Sequence, residues 1–355
     1  MIQRESGVMK TSYEADMALY PLPIGRETVG AALVVLFVLT PLLFGEYYLS
    51  ILNLILIAVV GAIGLNILTG STGQISIGHG AFMSVGAYTA ANLAVRAHLP
   101  FWIALPLGGL AAAAIGMVVG IPSLRIKGLY LAIATLAAQF LIEWSINHVT
   151  WISGGVQASI EVPRPRVGGF PIESQRQMYL FLLTVATLAT VGALNISRSR
   201  IGRAFVAIRD HDVAAEIIGI NVFRYKVVAF GISSFYAGVT GVLYTYYLGV
   251  ANYEQFQIGT SIDFLAMIII GGLGSVLGSI LGATFITLMP IVLRWVTETI
   301  VQISGAGTDV ANITTNLRLI CFGGLIIVFL ILEPEGLERL WRNVRNYFRV
   351  WPFAY

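Results

Sequence analysis

The chain has 355 residues, 57% of them hydrophobic and only 11% charged, with a net charge of +3 and a mean hydropathy of +0.83. A soluble domain carries roughly 25% charged residues, so this composition excludes a water-covered globule; the length allows around ten spans of about 20 residues each. The basic residues flank apolar segments rather than form one face, which excludes a nucleic-acid surface, and the single cysteine, Cys321, excludes an internal disulfide or a cysteine-rich metal site.

Residues 1–28 are polar and charged and read as a cytoplasmic lead. The apolar stretch that follows is too long for the core of a cleavable signal. Apolar runs then fall at 29–47, 49–69, 74–95, 101–121, 127–148, 178–196, 227–249, 261–273, 275–297 and 316–333. The expected fold is therefore all-α, a polytopic membrane helix bundle of about ten spans over residues 29–333, with two glycine-rich broken regions and a tail at 334–355. Charge placement sets the orientation. With both termini cytoplasmic, only Arg96, Arg164, Arg166, Arg176, Arg294 and Arg318 of the 21 basic residues face outward, as the positive-inside rule requires.

Residues 64–88 read GLNILTGSTGQISIGHGAFMSVGAY. A helix broken by glycine at membrane depth is tolerated only where it is buried in protein or lines a cavity, and transporters place substrate at such breaks. Asn66, Thr69, Ser71, Thr72, Gln74, Ser76 and His79 are the candidate pathway residues. The competing reading is close helix crossing, with Ser76, Gly80 and Ser84 as a small-residue row. His79 either bonds substrate or a neighbouring helix. Glu46, Glu143 and Asp263 fall near the ends of spans, which argues against a proton relay.

The external loop at 149–177 contains Trp151, Gly154, Gly155, Pro163, Pro165 and Pro171 and reads as turn-rich rather than helical. It either caps the bundle or meets a delivering protein. Residues 198–226, RSRIGRAFVAIRDHDVAAEIIGINVFRYK, form a basic cytoplasmic loop patterned as short helices, to which a soluble partner docks. At 271–283, GGLGSVLGSILGA places Gly274, Gly278 and Gly282 on one packing face and hints at a duplication of the first glycine-rich stretch. In the tail, Leu340, Trp341, Val344 and Phe348 recur at helical spacing among Arg339, Arg342, Arg345 and Arg349, which suits an interfacial helix on the anionic inner leaflet. There is no phosphate loop, HExxH, GxSxG or histidine–carboxylate cluster, so the chain is not expected to be an enzyme. If ATP is used, another chain binds it.

Four blocks in order carry a resemblance: GLNILTGSTGQISIGHGAFMSVGAYTAANL, LRIKGLYLAIATLA, SRIGRAFVAIRDHDVAAEIIGINVFRYKVVAFGISSFYAGVTGVLY and IIIGGLGSVLGSILGA. Together they resemble the membrane permeases of branched-chain amino-acid ABC importers, and the longer, M-type (LivM-like) of the paired subunits. The resemblance runs from about residue 50 to the terminus. It implies an inner-membrane subunit that pairs with a similar but distinct LivH-like permease, two cytoplasmic ATP-binding subunits and a periplasmic solute-binding protein. No cofactor is expected on this chain, ATP being held by the partners. It also implies a coupling helix in the central loop. Asp212 would cap residues Val213 to Ile218 and Gly219 would stop them, with Arg209, Ala214, Ala215 and Glu216 in the region that docks on the ATPase. The segment GGVQASIEVPRP at 154–165 departs from the family pattern. Related permeases for urea, short amides or aromatic acids are the alternative cargo reading. A stand-alone secondary transporter is the alternative of a different class; it would need ion-coupling carboxylates deep in the spans.

Overall fold

The computed structural model describes residues 30–31, 33–122, 128–154, 159–167, 170–304 and 336–350, with residues 320, 323, 324, 327 and 331 besides. The lead at 1–28, Arg125, Lys127, Gly155, Cys321 and most of the run at 316–333 lie outside the described residues. A helical stretch through Val35–Leu39 and Thr40–Leu43 stops at Gly45. The principal helices follow as α1 Glu46–Thr72, α2 His79–Arg96, α3 Phe101–Gly120, α4 Leu129–His148, α5 Gln175–Arg198, α6 Arg200–Asp210, α7 Asp212–Ile217, α8 Val222–Leu248, α9 Ile258–Gly271, α10 Val276–Ser304 and α11 Leu337–Val350. Among the described residues the chain is all-α apart from two small antiparallel pairs, Ser159–Glu161 with Val250–Asn252 and Arg166–Val167 with Phe170–Pro171.

Among the described residues, α1, α3, α5, α8 and Val276–Val296 of α10 are long and apolar enough to cross a membrane. This makes the chain a multi-pass membrane protein. At 27 residues, α1 and α8 are each about 40 Å long. With 14 residues, α9 reaches only about 21 Å and falls short of a hydrocarbon core of about 30 Å.

The bundle is built on α1 and α8, whose most apolar windows are 78% and 72% buried, against 22% for α5. A helix that is apolar all round belongs inside, whereas one stripe suffices for a peripheral helix. Glycine lets α8 reach that position. A Cβ on Gly241 would run into the Met83 backbone of α2, and one on Gly238 would meet the Gly108 carbonyl and Gly109 Cα of α3 at 2.9 and 3.0 Å. Backbones at that distance gain dispersion contacts that a longer side chain would prevent.

Contacts fix the two ends of the bundle. At one end, Arg209 donates to the Gly70 carbonyl near the close of α1, and Gly336, just before α11, packs on the turn at Gly272. At the other, Asn53 donates to Gln175 Oε1 at 2.9 Å, and the Arg96 guanidinium lies 5.1 Å over the Trp151 ring. There Ser159–Glu161 pairs with Val250–Asn252 just beyond α8. Thus the basic loop and the segment at 149–177 occupy opposite ends, and α1 and α8 run antiparallel.

The expected boundaries shift where polar residues continue a helix or glycine ends one. α8 begins five residues before its apolar run and takes in Phe223, Arg224, Tyr225 and Lys226, because Asn221 caps it by accepting the Arg224 N–H at 3.0 Å. α2 begins at His79 rather than Gln74, since residues 73–78 are not helical. Ser76 therefore lies before the helix that carries Gly80 and Ser84, and the three do not form one helical row. Among its described residues, the segment at 149–177 holds the helical turn Thr150–Ser153 and short strands before α5 begins at Gln175.

Candidate functional site

Both 27-residue helices close on a left-handed glycine, Gly73 at φ 70° and Gly249 at φ 76°. Each is followed by a break in the α-helix, 73–78 or 249–257, the second containing a 3₁₀ turn at Tyr253–Phe256, and then by a shorter helix, α2 or α9. Because α1 and α8 are antiparallel, the first segment enters from the end carrying the basic loop and the second from the opposite end. They meet inside the bundle: the Gly80 N–H donates to Ser261 Oγ at 2.8 Å, and a Cβ on Gly80 would lie 2.6 Å from the Phe256 carbonyl.

The first segment is held by side chains. Thr69 Oγ1 donates to the Gln74 carbonyl at 3.2 Å, Thr72 Oγ1 donates to the Leu68 carbonyl, and Gln74 Nε2 donates to Thr72 Oγ1 at 2.9 Å. Ser76 is buried and accepts the Gly78 N–H at 3.4 Å, while Ser71 is half-buried. His79 is buried, hydrogen-bonds the Gly61 backbone and packs 5.0 Å from the Phe264 ring; its Nε2 has no hydrogen-bond partner among the described residues.

Two residues of α4 bind this arrangement together and were missed by sequence reasoning. Thr135 Oγ1 accepts the Ile77 N–H at 2.9 Å. Gln139, 1% exposed, accepts from the Ala81 N–H at 2.7 Å and from Ser261 Oγ at 3.2 Å, and donates to the Phe256 carbonyl at 2.8 Å. One amide thus satisfies groups at the start of α2, in α9 and in the segment before α9. Their only sequence signal is a threonine and a glutamine inside the apolar run LYLAIATLAAQFLIEW.

Asn66 has a different setting from its pathway companions. Its Nδ2 donates to the Ser275 carbonyl at 2.6 Å and to Ser279 Oγ at 2.7 Å, and its Oδ1 accepts the Gly274 N–H at 2.8 Å. It ties α1 to the turn between α9 and α10. Gly274 lies in that turn at φ 84°, before α10 starts, so it does not continue the face of Gly278 and Gly282. Those two pack on α9: a Cβ on Gly278 would meet the Gly271 carbonyl at 2.7 Å, and one on Gly282 would meet the Met267 carbonyl.

The basic loop folds into α6 and α7. Ser199 caps α6 by accepting the Ile201 and Gly202 N–H groups at 3.2 and 3.3 Å, and Ala204, Phe205 and Ile208 form its buried stripe. Arg209 stands in the last turn of that helix. It pairs with Asp210 at 3.0 Å, donates through Nη1 to the Gly70 carbonyl at 3.2 Å, and lies 3.2 Å from where a Gly274 Cβ would stand. A single guanidinium therefore touches the ends of both glycine-rich stretches.

In α7, Asp212 is the first helical residue rather than the cap; His211 holds the cap position without a side-chain hydrogen bond. Asp212 also pairs with Lys226 of α8, Oδ2 to Nζ 3.8 Å. Gly219 stops the helix at φ 90°, with the Ile220 N–H returning to the Ala215 carbonyl at 3.0 Å. Ala215 is 2% exposed and faces inward, whereas Ala214 and Glu216 face out. The outer surface also carries Val213, Ile217 and Ile218, at 59, 81 and 73% exposure. Sequence reasoning named the alanines and passed over these larger side chains, because only the helix register separates inner from outer positions.

Residues 47–330 match the family model described as branched-chain amino acid transport system / permease component. Over 329 residues the chain is 31% identical to the high-affinity branched-chain amino acid transport system permease protein LivM of Escherichia coli, covering 86% of this chain and 73% of that protein. It is 26% identical to the fructose import permease protein FruG of Bifidobacterium longum, covering 71% and 79%. It is 24% identical to the permease protein LivH of Salmonella typhimurium, covering 78% and 89%. No solved structure matches the chain. With four-fifths of its length inside the family match, the chain belongs to the branched-chain amino acid transport permease family.

Proposed function

We propose that this chain is the LivM-type permease subunit of an ABC importer for branched-chain amino acids in the inner membrane. It pairs with a LivH-like permease, receives solute from a periplasmic binding protein and is driven by two cytoplasmic ATPases. The chain crosses the membrane ten times with both termini inside: α1, α5 and α9 run toward the basic-loop end, α2 and α8 run away from it, and the chain returns to it at Gly336.

The observation that carries the reading is the outer face of α7. Val213, Ile217 and Ile218 are aliphatic side chains turned to water at the end of the bundle, beside an exposed Phe223. An apolar cluster kept in solvent marks a protein contact, and here the contact is the ATPase. Force applied to α7 reaches Arg209 next door, and through it the Gly70 carbonyl and the Gly274 turn. Rocking of the helix breaks then opens the pathway to one side or the other. The polar segment 69–79 lines that pathway, and the loop at 149–177 meets the binding protein.

The test uses the whole complex in proteoliposomes. Ile217→Arg places a charge on a side chain that is 81% exposed, so the permease pair should purify intact. Uptake of L-leucine and binding-protein-stimulated ATP hydrolysis should both fall at least about a hundredfold, the loss expected when a charge is buried unpaired in an interface. Unchanged stimulation would reject α7 as the docking helix, and uptake without any ATPase would reject the importer class.

A further inference from the structure

Beside the first helix break lies a polar cavity of about 220 Å³, walled by Gln74, Arg209, Asp210, His211, Asp212 and Lys226. Two of these residues are buried, Gln74 at 4% and Lys226 at 8% exposure. Gln74 spends its Nε2 on Thr72 Oγ1, and its Oε1 has no hydrogen-bond partner among the described residues. The ammonium of Lys226 stands 3.8 Å from Asp212 Oδ2, well beyond the length of a charge-assisted hydrogen bond, and it carries three donors. A buried acceptor left unmade is costly, so the cavity is built for a guest that donates to Gln74 and accepts from Lys226.

The signs on the walls narrow the guest. A plain anion drawn to Lys226 and Arg209 would also meet Asp210 and Asp212, and a plain cation drawn to the aspartates would meet Lys226 and Arg209. A molecule with both charges satisfies both walls, its carboxylate on Lys226 and its ammonium on Gln74 Oε1 and Asp210. Leu131 and Ile208 add an apolar patch for an aliphatic side chain.

We propose that this cavity binds a small zwitterionic amino acid from the cytoplasmic side and that occupancy restrains the docking helix. The idea rests on the importer reading given above and deepens it into product feedback. A bound carboxylate competes with Asp212, the first residue of α7, for Lys226, while the ammonium engages the segment after α1. The guest thereby cross-links α7, α8 and the first break, the parts that must move relative to one another. Accumulated cargo would slow further import.

The test is equilibrium binding of L-leucine to the complete complex in lipid nanodiscs, without binding protein or nucleotide. Isovalerate, isoamylamine and inorganic phosphate serve as probes that each lack one charge. Saturable leucine binding is expected, with isovalerate, isoamylamine and phosphate each weaker by about tenfold or more, the scale of one charged hydrogen bond. Gln74→Leu and Lys226→Met should each weaken leucine by a similar factor, and Gln74→Leu decides if the lysine variant fails to assemble. Absence of leucine binding, full affinity in Gln74→Leu, or a single-charge probe binding as well as leucine would each overturn the proposal. Leucine uptake by the unmodified complex is measured in parallel: its loss would sink the importer reading, whereas normal uptake with no leucine site would sink this inference alone.

Discussion

The two 27-residue helices leave the bundle core in the same way and are received differently. α1 and α8 each end on a left-handed glycine and each hand the chain to a segment that is not α-helical. After α8, residues 250–252 pair with 159–161 through a backbone ladder, and the 3₁₀ turn Tyr253–Phe256 follows. After α1, residues 73–78 have no strand partner, and side chains from Thr69, Thr72 and Thr135 satisfy them. A ladder demands one register. Side-chain hydrogen bonds can be exchanged by rotamer changes, at about 1 kcal/mol each. The exchangeable segment is the one next to Arg209 and α7, where force would enter if α7 docks on an ATPase as proposed. The laddered one sits at the opposite end, joined to the loop at 149–177.

The strongest way to break this comparison is to separate the helices that frame both segments. Gly241→Leu drives a side chain into the Met83 backbone of α2, where no flexible group can yield. Overpacking costs about 1–3 kcal/mol where side chains can shift, and more where only backbone can. The variant should give no monodisperse complex on size exclusion. Gly259→Leu, at a position with nothing within 4 Å of its Cβ, should assemble normally. Equal yields of the two would mean that the α2–α8 contact does not organise the core.

A smaller effect is expected where the two segments meet. Gln139→Met keeps length and loses all three hydrogen bonds, taking the partner from the Ala81 N–H, the Ser261 hydroxyl proton and the Phe256 carbonyl. Each orphaned group costs about 1–3 kcal/mol. Assembly should survive with a lowered melting temperature, and uptake should fall about tenfold or more. Gln139→Glu, which is protonated when buried and so keeps one donor and one acceptor, should lose less. Equal uptake in wild type and Gln139→Met would mean that the junction is not held from α4.

How much of this was legible in the sequence follows from where each contact partner lies. The basic loop, the left-handed Gly219 and the helical tail depend on neighbours within a few residues, and they stand where the local pattern puts them. Asn66, Gln139 and Arg209 act on groups 208, 117 and 139 residues away, and no local period records that. Gly274 illustrates the same limit. Its four-residue spacing to Gly278 and Gly282 suggested one face, yet the Asn66 side chain captures its N–H and turns the chain there. By helix length and position, the 73–78 break is matched by the one at 249–257, whose residues carry a different composition.

The finest test compares the two glycines that end α1 and α8. Alanine at either must adopt a left-handed backbone, at a cost of about 1–2 kcal/mol. At Gly249 nothing lies within 4 Å of the new Cβ, so that cost is the whole effect. At Gly73 the Cβ would stand 3.2 Å from Arg209 Cγ, and the arginine must shift away from Gly70. Both variants should melt a few degrees lower, by similar amounts. Uptake should fall severalfold in Gly73→Ala and hold in Gly249→Ala, because only the first disturbs the guanidinium that joins the basic loop to Gly70 and the Gly274 turn. Equal uptake in the two would mean that the Arg209 contact carries no force, and the contrast between a movable segment and a laddered one would then be structural only.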